Sequence, residues 1–190
     1  MSTFECLAVC FTVVALLASG ISEAGPNFGQ PATADEVAAW DISIPPDGRG
    51  LPPGSGTAKE GATVYATKCV ACHGENGVGK PADKLAGGIG TLASSTPIKT
   101  VGSYWPYATT LFDYVRRAMP YDRPMSLSSD EVYAVSAYIL SLNGTIPEDA
   151  KMDAESLPKV KMANRDGFVD YWRSMSTAIR AHPRSVGFTP

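Results

Sequence analysis

The chain has 190 residues, of which 44% are hydrophobic and 18% are charged, a composition that fits one modest globular domain with appendages. Its formal net charge is −3, so neither nucleic acid nor an anionic membrane surface is expected as a partner. Two histidines and four cysteines are present, so candidates for metal ligands are few.

Residues 1–24 have the pattern of a secretory signal peptide. An apolar run covers residues 4–18, and the small residues Ser22 and Ala24 stand at the −3 and −1 positions of a cleavage site. The segment contains no Lys or Arg, so either the start codon is misassigned or the signal is atypical. A membrane anchor is the alternative, but about 15 apolar residues are short for a bilayer span. We therefore expect export, no stable membrane anchor and a mature chain with two cysteines.

Residues 25–56 are predicted to form an N-terminal arm. Residues 33–40 suit one short helix, and residues 44–56 contain eight Pro or Gly in thirteen, which favours extended or turning chain. The arm is more apolar than a free linker needs, and we expect it to pack on the domain that follows or on another subunit. The apolar residues are Phe28, Trp40, Ile42, Ile44 and Leu51.

Residues 57–144 are predicted to form the main domain. Its first helix begins at a capping box, in which the Thr57 hydroxyl and the Glu60 carboxylate each satisfy a free amide, and runs into Cys69. Gly61 is poor for helix formation, but it would let another helix cross closely.

Two further helices are predicted in this domain. One covers residues 106–118 and ends before Pro120, and the other begins at a second capping box, Ser128 with Glu131, and ends at Asn143. The apolar faces are Leu111, Tyr114, Val115 and Ala118 in the first and Val132, Val135, Ile139 and Leu142 in the second. No stretch is predicted as strand, so the expected fold class is all-α, with three or more short helices.

Residues 145–190 are predicted to form a C-terminal extension. Residues 151–165 are basic, which would suit an acidic partner, but a solvated tail is the default expectation. His182, beside a proline near the end of the chain, is expected to be exposed rather than a ligand.

The segment Cys69-Val70-Ala71-Cys72-His73 is the C-x-x-C-H signature of covalent haem attachment. In one short turn the two thiols reach the porphyrin vinyl groups, and His73 is then held under the iron as the proximal ligand. A thioredoxin-type redox pair or half of a zinc site is the alternative. The expected mature chain has no second Cys pair to complete a zinc site, and no βαβ pattern surrounds the motif. One haem c is therefore expected.

Two methionines are candidates for the second axial ligand. Met119 lies where a helix breaks into a loop, with Pro120 to stiffen it, and is preferred. Met125 has less freedom because a helix opens soon after it; another ligand or an open site is the remaining possibility. Any single methionine can also simply fill the core. Thioether ligation raises the reduction potential relative to two imidazoles and closes the iron to substrates.

Residues 57–144 resemble class I cytochromes c. The wider match is to the cytochrome subunits of bacterial sulfite and sulfane dehydrogenases, the partners of molybdenum-cofactor subunits in sulfur oxidation. The motifs that carry it are Phe28-Gly29-Gln30-Pro31-Ala32-Thr33, Ala39-Trp40-Asp41-Ile42, Pro46-Asp47-Gly48, Gly50-Leu51-Pro52-Pro53-Gly54-Ser55-Gly56, Arg116-Arg117-Ala118-Met119-Pro120 and Asn164-Arg165-Asp166-Gly167-Phe168.

This resemblance implies thioether bonds at Cys69 and Cys72, axial ligation by His73 and Met119, and support of His73 by the carbonyl of Pro81. Some members of the sulfane dehydrogenase group carry two haems, whereas this chain has one attachment motif.

The function expected is electron transfer by a periplasmic monohaem cytochrome rather than catalysis. Electrons would come from a molybdenum sulfite or sulfane dehydrogenase subunit and pass to a downstream cytochrome or oxidase. One alternative is a different partner, such as a quinoprotein alcohol dehydrogenase or an oxidase. An open-site haem sensor or peroxidase is the other alternative, and the absence of a histidine between His73 and His182 argues against it.

Overall fold

The computed structural model describes residues 29–172, and the predicted signal peptide, Phe28, Met175 and His182 lie outside these residues. The chain divides into two compact units between Asp41 and Ile42. In the described part of the first unit, helix α1 spans Ala34–Trp40. It begins with a capping box between Thr33 and Glu36, and none of its residues is buried. The short helix predicted over residues 33–40 is therefore confirmed.

From Ile42 to the end of the described residues, the second unit contains helices and a small sheet. In chain order these are strand β1 (Ser55–Thr57), α2 (Ala58–Lys68), α3 (Val70–His73), α4 (Ala108–Ala118), α5 (Ser129–Leu142) and strand β2 (Lys151–Asp153), with single 3-10 turns at Glu75–Gly77 and Leu157–Lys159. The all-α fold class is confirmed, with this two-stranded sheet as the exception. Among the described residues, no helix is both long and apolar enough to cross a bilayer.

Helices α2 and α5 cross in close contact at Gly61. A Cβ atom at Gly61 would overlap the carbonyl of Ala134 on α5, so only glycine lets the two backbones approach this closely. The rings of Tyr65 and Tyr138 pack one turn further along, with centroids 5.1 Å apart. The expectation of a close crossing at Gly61 is confirmed.

Both predicted capping boxes of the second unit are present. Thr57 accepts from the amide of Glu60 at the start of α2, and Ser128 accepts from the amide of Glu131 at the start of α5. Glu131 also pairs with Lys68 of α2, with Nζ and Oε1 2.7 Å apart. Each cap contributes about 1 kcal/mol to helix stability.

The buried face of α4 differs from the predicted stripe. Leu111 and Val115 are buried as expected, but Tyr114 is 49% exposed. Phe112 is fully buried instead and packs on Tyr133 of α5, with ring centroids 4.5 Å apart. Tyr114 sits edge-on to Trp105 instead, with ring centroids 5.8 Å apart. The predicted buried face therefore wrongly included Tyr114 and left out Phe112.

The segments flanking the helices pack on the same core. Ile44 is buried, its amide donates to Asp113 of α4 at 3.0 Å, and the Tyr133 hydroxyl donates to the Pro52 carbonyl at 2.9 Å. The expected packing of the arm on the domain is thus observed from Ile44 onward.

The expectation of a solvated tail after α5 is wrong for residues 151–162. Met152, Leu157 and Met162 are all buried, and β2 pairs antiparallel with β1 so that Met152 lies opposite Gly56. The two three-residue strands were missed because they are too short to show alternation.

Candidate haem-binding site

The attachment motif is folded as a single helical turn. α2 ends at Lys68 because Cys69 leaves helical geometry (φ −125°, ψ −35°), and α3 then spans Val70–His73. The amides of Cys72 and His73 both donate to the Cys69 carbonyl, at 3.1 and 3.0 Å. Both thiols are free, that of Cys69 half-buried and that of Cys72 exposed. The turn therefore presents two thiols and one imidazole within five residues.

A backbone carbonyl orients the imidazole of His73. Its Nδ1 lies 2.9 Å from the carbonyl oxygen of Asp83. Because a carbonyl oxygen only accepts, Nδ1 carries the proton and Nε2 keeps its lone pair for a metal. A carbonyl that supports His73 was expected, but the expectation that Pro81 provides it is wrong, because Asp83 does. The Lys80 amide donates to the Ala82 carbonyl at 2.8 Å, and this tight turn carries the chain past Pro81 so that Asp83 reaches the ring.

The loop that carries Asp83 is held at its far end by Asn143. The side-chain amide of Asn143 donates to the Leu85 carbonyl at 3.1 Å and accepts from the Gly87 amide at 3.0 Å. The Leu85 amide donates in turn to the Gly77 carbonyl at 2.8 Å. Sequence reasoning missed this role, because an asparagine at a helix end predicts only a cap.

The two candidate methionines have different surroundings. Met119 ends α4 in an extended conformation, its amide donates to the Val115 carbonyl, and its side chain is half-buried against the main core. Cys69 packs on the same core. Met125 is 61% exposed and has a left-handed backbone (φ +61°). The structure therefore turns the preferred methionine toward the core and the other toward solvent.

Two comparisons with known proteins show which family the chain belongs to. The sequence profile of the cytochrome c family matches residues 58–143. A chain in the crystal structure of the sulfane dehydrogenase SoxCD from Paracoccus pantotrophus is 36% identical, with a TM-score of 0.73, and the match covers 87% of this chain and 80% of that one. The chain belongs to the cytochrome c family. No curated protein sequence matches it significantly.

As a cytochrome c, the chain is an electron-transfer protein rather than a catalyst in its own right, and its family implies covalently bound haem c. The donor set on this turn fits that group, because it offers two free thiols for the vinyl groups and an imidazole nitrogen oriented for iron. Cys69 shares the edge of the core with other partly buried apolar side chains, among them Val70, Leu85, Trp105, Met119 and Leu127.

The environment of the cytochrome's first thiol does not suit a thioredoxin-type redox pair. Burial raises the pKa of Cys69 to about 11, and the neighbouring Lys68 opposes this only in part. Catalytic thiol pairs need the opposite shift, because the thiolate is the reactive species. For the zinc alternative, residues 29–172 contain no group of three or more His, Cys, Asp or Glu side chains placed to hold a metal ion.

Proposed function

We propose that this cytochrome c carries one haem, bound through thioethers to Cys69 and Cys72, with His73 Nε2 and Met119 Sδ as its axial ligands. The bound haem supplies a one-electron couple. The observation that carries the proposal is the hydrogen bond from His73 Nδ1 to the Asp83 carbonyl, since it leaves Nε2 free beside two unpaired thiols. With a ligand on each side, the iron would exchange electrons without binding a substrate.

We propose a molybdenum sulfite or sulfane dehydrogenase subunit as the electron donor. The structural match to SoxCD supports this choice, because it extends over 87% of the chain, far beyond the family-matched residues 58–143. Segments outside the cytochrome domain are thus shared with a protein that is a sulfane dehydrogenase. A downstream cytochrome or oxidase would accept the electron.

The arms are proposed to supply docking surface for that donor. Helix α1 buries none of its residues, and Trp40 is 86% exposed. An isolated seven-residue helix is marginal in water, so its capped form is best explained by a partner that covers its apolar side. Trp is also the residue type most enriched at binding hot spots. Exposed apolar residues recur near the other end of the described chain, at Phe168, Val169, Tyr171 and Trp172.

Export to the periplasm completes the proposal. It depends on the predicted signal peptide, whose cleavage after Ala24 would give a mature chain that begins at Gly25. N-terminal sequencing of the haem-containing protein tests it directly. A mature chain that begins at Gly25 is expected, and an intact Met1 on the haem-containing protein would contradict export.

Electron transfer from the proposed donor is tested by rapid mixing. The oxidised cytochrome is mixed with a purified molybdenum sulfite or sulfane dehydrogenase subunit of the same organism and its sulfur substrate. Reduction of the cytochrome is expected to need both the subunit and the substrate. The matched control replaces the donor with a quinoprotein alcohol dehydrogenase and an alcohol. Faster reduction in the control would assign the cytochrome to that second class of donor.

The open-site alternative is tested with carbon monoxide. A reduced haem with methionine on its distal side is expected to bind carbon monoxide slowly and incompletely. Rapid, complete binding by the wild-type protein would contradict methionine ligation and favour a sensor or peroxidase.

A further inference from the structure

Tyr65 is buried at the α2–α5 crossing, yet its hydroxyl reaches the end of the attachment motif. Its side chain is 2% exposed, and its hydroxyl donates to the carbonyl oxygen of Gly74 at 2.8 Å. Gly74 directly follows His73. The tyrosine ring packs against Tyr138 of α5, so one side chain contacts both the helix crossing and the residue after the proposed iron ligand.

Gly74 is the point at which the chain leaves the attachment turn. Its backbone is left-handed (φ +70°), and its amide donates to the Val70 carbonyl at 2.8 Å. The Gly77 amide also donates to this carbonyl, at the longer distance of 3.3 Å. Tyr65 is therefore the stronger of the two donors that set the direction of this peptide group.

The loop beyond Gly74 closes back on His73. The Gly79 amide donates to the His73 carbonyl at 2.7 Å, and the Ala82 amide donates to the Cys72 carbonyl at 2.8 Å. The next residue, Asp83, supplies the carbonyl that orients the imidazole. A change in the direction of the chain at Gly74 would thus be transmitted through this loop to the His73 ring.

We propose that Tyr65 is a positioning residue for the axial histidine. Its hydroxyl fixes the Gly74 peptide relative to the helix crossing and so keeps His73 Nδ1 hydrogen-bonded to Asp83. The inference rests on the proposed function, because it requires His73 to be the iron ligand. Burial raises the pKa of Tyr65 to about 12, with a smaller contribution from Cys69, so the hydroxyl remains a donor throughout the physiological pH range.

Tyr65→Phe removes the hydroxyl and keeps the ring. A weaker bond from Nδ1 makes the imidazole a poorer electron donor to iron, which favours the reduced form. At a fixed solution potential, we expect the oxidised-to-reduced ratio to fall about threefold. At about 59 mV per decade for a one-electron couple, this is a rise of about 28 mV in the midpoint potential. Histidine-sensitive signals, namely the iron–imidazole Raman band and the hyperfine-shifted His73 resonances, should move with it.

Tyr133→Phe is the matched control. Tyr133 is fully buried, its pKa is likewise raised by burial to about 12, and its hydroxyl also donates to a backbone carbonyl, that of Pro52, at 2.9 Å. Both variants should lower the denaturation midpoint by a similar amount. The potential and the His73 signals should change only in Tyr65→Phe.

Two outcomes would overturn the inference: an unchanged potential and unchanged His73 signals in Tyr65→Phe, or equal changes in Tyr133→Phe. Neither outcome affects the proposed function, because its tests are all made on the wild-type protein. A second measurement does not depend on any variant. In the reduced wild-type protein, proton NMR should show a slowly exchanging Tyr65 hydroxyl with a cross-peak to Gly74, and a rapidly exchanging hydroxyl would also overturn the inference.

Discussion

Four methionines follow the attachment motif within residues 29–172, and their surroundings separate them. Met152 and Met162 are buried among apolar side chains, where a flexible thioether fills space in the core. Met125 is exposed, and Met119 is half-buried where α4 ends. At the scale of single residues, sequence alone could rank Met119 first because of Pro120. It could not place Met152 or Met162 in the core, because their burial depends on distant segments.

Met119→Ala is expected to remove the sulfur–iron absorption band and to let the reduced protein bind carbon monoxide rapidly, because the iron loses its sixth ligand. Optical spectroscopy of both oxidation states measures the two effects. Met125→Ala is the matched control and should keep the band, since the Met125 side chain is 61% exposed. Loss of the band in Met125→Ala alone would show that the wrong methionine has been chosen.

At the scale of elements, the helices were predictable because their signals are local. The capping boxes at Thr57 and Ser128 each lie within four residues, and both form as expected. The β1–β2 pairing joins Gly56 to Met152, residues that are distant in sequence, and no local pattern encodes it. The carbonyl partner of His73 was misplaced for a similar reason, since it depends on how the loop before Asp83 folds.

Gly61→Ala is expected to destabilise the protein by about 1–3 kcal/mol, because the added methyl group would overlap the Ala134 carbonyl. This cost should exceed the gain from the higher helix propensity of alanine. Chemical denaturation of the haem-loaded protein measures the change. Ala66→Gly, at an exposed position of the same helix, is the control and should cost about 1 kcal/mol through propensity alone. A stabilising Gly61→Ala would mean that α2 and α5 do not approach each other as closely as described.

The contribution of Glu131 to stability is expected to depend on pH. Its hydrogen bonds, first to Lys68 and then to the Ser128 amide, lower the pKa of this carboxyl in the folded protein. The stabilisation that Glu131 provides is therefore complete above the ordinary glutamate pKa of about 4.3. It is lost as the pH falls through the lower pKa that Glu131 has in the folded protein.

Glu131→Gln should consequently be less stable than wild type at neutral pH, by about 1 kcal/mol, and the difference should shrink in acid. Denaturation at pH 7 and at a pH below the folded value measures both differences. A difference that grows as the pH falls would contradict the assigned sign.

At the scale of the whole molecule, the two units make different contributions. The unit that begins at Ile42 contains the attachment motif, its loop and both candidate methionines, whereas α1 buries none of its own residues. The sequence predicted that the N-terminal arm would pack, and it does so from Ile44 onward. The sequence does not show which part of the arm packs on the domain, because Trp40 and Ile44 are both large apolar residues and no local pattern distinguishes them.

Trp40→Ala should leave the free energy of unfolding within about 0.5 kcal/mol of wild type, because the side chain is 86% exposed. The affinity of the variant for the proposed molybdenum subunit should fall by about 30-fold, corresponding to about 2 kcal/mol for a hot-spot tryptophan. Titration calorimetry measures the affinity, and an unchanged optical spectrum controls for the haem site. Equal affinities of wild type and variant would remove α1 from the docking surface.

The central claim is that one haem is bound covalently by the turn at residues 69–73. The most direct measurement is peptide mass mapping of the protein produced in a host with cytochrome-assembly machinery, denatured, alkylated and digested with trypsin. Because cleavage before Pro81 is poor, the relevant peptide is residues 69–84. It should carry the mass of one haem and no alkyl group on Cys69 or Cys72. A colourless peptide alkylated at both cysteines, or one joined by a disulfide, would contradict the account.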